Sequence, residues 1–338
     1  MIGSEERPPL PIPSTSSSIS EEKSSKKSQS RSCVDHGDSV CGFRNIGNSC
    51  YMNSALQCLI HALPLKNYFL NLSNYDPMLH IVTQSFTTLL EAMSTGKYST
   101  YTPGDIKSSV SRVSSKFYGS TQEDSHEFMN TLLATLHNES RNKDNDQSPI
   151  KELFYLKTRS VIQCQKCDRK DINEDSISSL PLPIPSDSLS IKNQPTLFLH
   201  TLIEDFCKEN LLDGQYFCSQ CNDLTKATEK TTFVGPLPKL LIIQLKRYTF
   251  GRNSAYKPKL DMLIRYPLRD FKLIKGEEQY DLQAVSMHQG YNLMSGHYTA
   301  YAKNNDQWYR FNDEEVTKIN NNNEIITKDA YVLVYCKQ

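Results

Sequence analysis

The chain has no surplus of charge, no long apolar run and a single tryptophan. Its 38 basic and 38 acidic side chains cancel, so no global field favours a polyanion or an anionic membrane surface. Apolar runs stay short, as at Leu240-Leu241-Ile242-Ile243; that length suits a buried strand, where a membrane-spanning helix needs roughly 20 residues. The opening residues, Met1-Ile2-Gly3-Ser4-Glu5-Glu6, lack the basic start and apolar stretch of a secretory leader. The expectation is a monomer without nucleic-acid or membrane partners, in the cytoplasm and also the nucleus.

Cysteine, by contrast, is plentiful: there are ten. In a reducing compartment paired cysteines signal metal binding or catalysis rather than disulfides. Cys164-x2-Cys167 and Cys218-x2-Cys221 are two such pairs. Four thiolates close a tetrahedral zinc site and leave no position for water, so one structural zinc ion is expected and no catalytic cofactor.

Residues 1–40 are rich in Ser, Pro, Lys and Glu; they cannot bury enough apolar surface to offset ordering and read as a disordered tail. Residues 41–338 read as one α+β domain, with helices first and a strand-rich second half. Met52, Ala55, Leu56, Leu59, Ile60 and Leu63 repeat at helical spacing from Cys50 to Leu63, with Asn48 or Ser49 as cap and Pro64 after the end. A second helix is expected over Ser125–His137, capped by Asp124, and then a polar loop from His137 to Lys151. Strands are expected at 240–248, 281–288, 297–303, 308–311 and 330–336.

Cys50 stands where a Gly/Asn-rich loop, Gly42 to Ser49, runs into the first of these helices. Helix N-termini carry unpaired N–H groups and partial positive charge, which favour a thiolate and can hold an oxyanion. The alternative is a small core cysteine, although a helical wheel sets Cys50 roughly 150° from the apolar stripe. Far along the chain, Ser295-Gly296-His297-Tyr298 delivers a histidine at a strand start, and Trp308 to Phe311 leads into Asn312-Asp313. A side-chain oxygen there can accept from imidazole Nδ1–H and leave Nε2 toward the thiol; Asn312 and Asp313 are both candidates.

Together these segments resemble the ubiquitin-specific protease family, the papain-like deubiquitinases. The resemblance rests on Gly42 to Gln57, Gln122 to Met129, Leu237 to Tyr248, Gly296 to Tyr301, Trp308 to Val316 and Ala330 to Leu333. It implies a thumb over about 42–151, fingers over about 152–235 carrying the zinc knuckles, and a palm from the remainder. It further implies a thiol isopeptidase acting on ubiquitin and ubiquitinated proteins. Cys50 would be the nucleophile, His297 its base, Asn312 the third triad member with Asp313 assisting, Asn45 an oxyanion donor, and Asp124 a contact for the ubiquitin tail. Ser49, His126 and Tyr248 depart from the family's usual residues without removing a catalytic group. A catalytically dead ubiquitin-binding scaffold, a zinc-ribbon interaction module and a protease for a ubiquitin-like modifier are the rival readings.

Overall fold

An eleven-residue helix with no exposed side chain needs cover on every face, and α1 (Cys50–Ile60) is such a helix: all eleven of its residues are buried. A computed structural model describes residues 40–72, 75–185, 196–212, 214, 216–248, 259–274, 278–292 and 295–338. The Ser-rich segment read as a disordered tail lies, but for Val40, outside the described residues. The other helices are α2 (Leu63–Leu70), α3 (Ile81–Ser94), α4 (Gly104–Val113), α5 (Ser125–Ser140), α6 (Pro149–Phe154) and α7 (Leu199–Cys207). The strands are β1 (Gly42–Phe43), β2 (Thr100–Tyr101), β3 (Leu156–Cys164), β4 (Lys170–Ile177), β5 (Leu180–Pro183), β6 (Leu197–Phe198), β7 (Asn210–Leu211), β8 (Tyr216–Cys218), β9 (Asp223–Thr225), β10 (Ala227–Phe233), β11 (Leu240–Lys246), β12 (Ile264–Arg265), β13 (Phe271–Lys272), β14 (Gln279–Asn292), β15 (Ser295–Asn304), β16 (Gln307–Asn312), β17 (Glu315–Lys318) and β18 (Ala330–Lys337).

Eight strands form the central sheet, ordered β17-β16-β15-β14-β18-β11-β5, with β13 also on β14. Its inner strands are apolar on both faces because both faces are covered. Along β11, Leu240 and Ile242 join the core shared with the helices, whereas Leu241, Ile243 and Leu245 join a second core behind the sheet. In β18, Val332 and Val334 face the helices and Leu333 and Tyr335 face away. Each such side chain contributes about 1.5–3 kcal/mol by leaving water. The helix α1 sits between this sheet and α5, which places its first residue against β15. A separate four-stranded sheet, ordered β4-β3-β10-β7, is built from strands lying between Leu156 and Phe233.

The α+β class and all five expected strands are present, with ends shifted by a few residues. The helices differ more. The first ends at Ile60, and Pro64 opens α2 instead of closing α1; proline lacks only an N–H that a first turn leaves unpaired anyway. The expected loop is present over residues 141–148 but is shorter than expected, because α5 runs on to Ser140 and α6 begins at Pro149. Ser148 caps α6 by accepting from the Lys151 amide at 3.0 Å, and Ile150, Leu153 and Phe154 are buried beneath it. The strand-rich half also holds α7, whose buried Leu199, Leu202 and Ile203 follow a helical period.

Candidate active site

The loop before α1 is shaped by two consecutive left-handed residues, Gly47 (φ 97°) and Asn48 (φ 48°), a conformation that glycine and asparagine adopt at least cost. Asn48 donates from Nδ2 to the Ser120 carbonyl at 2.8 Å. The Ser49 amide donates to Asn45 Oδ1 at 3.1 Å, and the Ile46 amide donates to Ser49 Oγ at 2.9 Å. Neither expected residue therefore caps α1, whose N-terminus has no side-chain cap. Ser49 is spent on tightening the loop, and the helix's first N–H groups keep no side-chain competitor beside Cys50. Cys50 itself is buried, because α1 is enclosed on all sides and has no solvent face for it to occupy.

His297 comes from β15, two residues into the strand after the β14–β15 hairpin. Its imidazole is hydrogen-bonded to Cys50 on one side and through Nε2 to Asn312 Oδ1 at 2.6 Å on the other. This reverses the expected ring orientation: Nε2 meets the orienter and leaves Nδ1 for the thiol. Asn312 reaches in from the end of the neighbouring strand β16 and meets the nitrogen farther from the histidine backbone. The amide is fixed in turn, since Asn312 Nδ2 donates to Glu315 Oε2 at 3.3 Å and so turns Oδ1 to the ring. The His297 pKa is raised from 6.5 to about 9, first by its hydrogen bond with Cys50 and then by that with Asn312, against the opposing effect of burial.

Asp313 does not touch the imidazole through a hydrogen bond. Its Oδ1 accepts from Asn53 Nδ2 at 2.8 Å and its Oδ2 from Asn45 Nδ2 at 2.9 Å. It takes a left-handed φ of 50° to do so, and its carbonyl accepts from the Phe43 amide at 2.8 Å. One carboxylate thus ties the cysteine loop and α1 to the end of the histidine sheet. With one N–H on Asp313, the Asn45 amide keeps its second N–H free to point at a reacting carbonyl.

Two residues that the sequence reading did not assign to the site belong to it geometrically. Asn53, one turn into α1, holds Asp313 and also donates to the carbonyls of Phe43 and Arg44. Gln122 donates from Nε2 to the Gly296 carbonyl at 2.6 Å and lies 4.0 Å from Cys50 Sγ. Asp124 stands apart from the thiol and imidazole: Oδ1 caps α5 by accepting from the His126 and Glu127 amides, and Oδ2 accepts from Tyr331 Oη at 2.6 Å. Burial raises its pKa against those bonds. His126 bonds Ser179 through Nε2 at 2.9 Å, and burial lowers its pKa to about 4, which keeps the ring neutral.

The four knuckle cysteines converge, with their sulfurs all within 4.8 Å of one another. Cys164 and Cys221 are 4.0 Å apart and Cys167 and Cys218 are 3.6 Å apart. Tetrahedral bonds of 2.3 Å put sulfurs about 3.8 Å apart, so the cluster can hold a metal ion. Each knuckle ends in a left-handed residue, Asp168 (φ 58°) and Asn222 (φ 49°), which turns the second cysteine back toward the first. The Lys166 amide points at Cys164 Sγ at 3.4 Å and Thr225 Oγ1 lies 3.2 Å from it, an outer shell of donors suited to thiolate sulfur.

Comparison with known proteins agrees with this geometry. The sequence model of the family described as "Ubiquitin carboxyl-terminal hydrolase" matches residues 41–335. Human ubiquitin carboxyl-terminal hydrolase 2 is 30% identical over 96% of this chain and 58% of its own length. Drosophila melanogaster Usp2 is 29% identical over 91% of this chain and 36% of its own. Mouse ubiquitin carboxyl-terminal hydrolase 17-like protein B is 31% identical over 88% and 64%. The chain thus spans about a third to two thirds of the length of these relatives. Among solved structures, the SAGA DUB module Ubp8/Sgf11/Sus1/Sgf73 bound to monoubiquitin superposes with a TM-score of 0.74 at 23% identity, covering 90% of this chain and 70% of the other. The same module bound to ubiquitin aldehyde gives 0.70 at 24%, covering 89% and 70%. These two likenesses concern the fold. With a match across nearly all its described residues, the chain belongs to the ubiquitin carboxyl-terminal hydrolase family, in the ubiquitin-specific protease group that its motifs resemble.

Proposed function

We propose that this protein is a thiol-dependent deubiquitinase that cleaves the bond after the C-terminal glycine of ubiquitin. The observation that carries the proposal is the hydrogen-bonded series Cys50–His297–Asn312 at a helix N-terminus without a side-chain cap. Cys50 Sγ attacks the glycine carbonyl while its proton resides on His297 Nδ1. The tetrahedral oxyanion is met by the free Asn45 N–H and the first N–H groups of α1. His297 then gives its proton to the departing lysine amine, the C–N bond breaks, and an acyl-enzyme remains. Water, deprotonated by the same nitrogen, attacks the thioester and releases ubiquitin and the thiol. Asn312 holds the ring for both proton transfers, and Gln122 spans from the thiol to the histidine loop.

Ubiquitin and its protein conjugates are the partners this reading implies, with Asp124 near the path of the substrate tail. On this reading residues of about 42–151 form the thumb, those of about 152–235, with the four-stranded sheet and the knuckles, the fingers, and the remainder the palm. The metal of the knuckles is zinc, bound by Cys164, Cys167, Cys218 and Cys221 and structural in role, since four thiolates leave no open position. A ubiquitin C-terminal fluorogenic amide tests the activity. Release by the wild-type chain, lost in Cys50→Ala and His297→Ala, is expected; equal release by Cys50→Ala would sink the proposal.

A further inference from the structure

One face of α4 carries Gly104, Lys107, Ser108, Ser111 and Arg112, the i, i+3, i+4, i+7, i+8 stripe of a helix, while Ile106, Ser109 and Val110 face the core. A polar stripe ordinarily meets bulk water. Here it walls a cavity of about 590 Å³ whose other side is Ile46, in the loop before the nucleophile, and Tyr118. No acid lines it: Asp105, on the same helix, lines the neighbouring cavity instead. Lys107 is half-buried, and the side chains of Lys107 and Arg112 have no hydrogen-bond or ion-pair partner among the described residues. The lysine pKa is lowered by loss of solvent with nothing opposing it, the signature of a cation that lacks its counter-ion. At about 30 Å³ per water, the space accommodates a group as large as a phosphorylated side chain. Ser111 is already committed, donating to the carbonyls of Lys107 and Phe117, whereas the exposed Ser108 hydroxyl remains available.

We propose that this cavity binds a dianionic oxyanion of the phosphate-monoester class, held by Lys107 and Arg112 with Ser108 and seated against the Tyr118 ring. Two cations match a dianion in charge, and a guanidinium beside an ammonium is the pairing that phosphate oxygens favour. The site touches the catalytic loop on two sides. Ile46 lies in its wall, and the segment after Tyr118 braces the loop through Asn48 on the Ser120 carbonyl and through Gly47, where an added Cβ would stand 3.0 Å from Ser120 Oγ. A bound phosphate therefore rests against the residues that position Cys50. The group can arrive free or on a phosphorylated residue of a conjugated protein; the second source rests on the deubiquitinase reading.

The test is a titration of the full chain, at fixed ionic strength, with inorganic phosphate, with a phosphoserine peptide and with chloride, read by calorimetry. Saturable binding of phosphate beyond chloride is expected, weakened roughly tenfold or more in Lys107→Gln/Arg112→Gln. Tighter binding of the phosphoserine peptide than of inorganic phosphate assigns the site to a phosphorylated protein; the reverse order assigns it to a free anion. Phosphate heats equal to those of chloride, or binding undiminished in the folded double variant, would overturn the proposal. This readout needs no turnover, so it fails or succeeds independently of activity toward ubiquitin.

Discussion

His297 titrates near 9 because both of its ring nitrogens are engaged and the stronger engagement, with Cys50, favours the charged ring. The imidazolium is the form that protonates the departing amine, so activity should persist below about 9 and fall above it. A kcat/KM–pH profile on the fluorogenic ubiquitin amide checks this, and Asn312→Ala should move the upper limb downward as well as slow turnover. The sign for stability is the same: the raised folded-state value contributes fully below 6.5 and is lost as pH rises through about 9. Asn45→Ala should cost about 10²–10³-fold in kcat, as for loss of one oxyanion donor, with KM little changed. Asp313→Ala should act in the same direction through Asn45 and Asn53, which a kcat against KM comparison would show. The sequence carried Cys50, His297, Asn312 and Asp313 to one place through readable local chemistry, and Asn45 through the family resemblance alone. It did not carry the division of labour between Asn312 and Asp313. Adjacent residues at a strand end diverge only once the backbone turns, and Asp313 turns left-handed.

Among elements, β14 and β15 approach each other closely at Gly290 and Gly296. Gly296 has φ 149°, and a Cβ there would meet the Gln289 carbonyl at 2.5 Å and His288 Nε2 at 2.6 Å. His288 is fully buried and bonded through Nδ1 to Tyr248 Oη, so it cannot swing aside. Gly296→Ala should therefore destabilise by about 1–3 kcal/mol, as overpacking does, and should lower activity more than stability predicts, since His297 follows directly; thermal melts beside kcat measurements would separate the two. Five strands of the central sheet were legible from apolar runs and turn residues, whereas β5, β13 and β17 were not. Helices α3 and α4 were not singled out, because Ser and Thr interrupt their apolar positions: Thr83 and Thr87 are buried in α3 beside Val82 and Phe86. The polar stretch after α5 reads correctly as a loop, but the short α6 at its end was not singled out, although Ser148 and Pro149 together are a helix-start pair.

At the scale of the molecule, the four-stranded sheet is exposed on much of its surface and has little apolar core of its own. Its end is gathered by the four cysteines, whose metal should supply folding free energy there. Purified reduced protein should contain one zinc per chain by elemental analysis. Cys164→Ser or a strong chelator should lower the melting temperature while leaving Cys50 reactive toward a small alkylating agent. The central sheet has the opposite character: β11 lies between β5 and β18, so it closes only when residues from the chain's last decade arrive. The same holds for the site. Asn45 and Asp313 are 268 residues apart in sequence, and Asn53 and Asp313 are 260 apart. During synthesis, therefore, a growing chain carries an ordinary cysteine on a short helix, without imidazole, orienter or brace. The proposed thiol chemistry can therefore switch on only after Asn312 and Asp313 have been added and their strands have docked, so the nascent chain emerges unarmed.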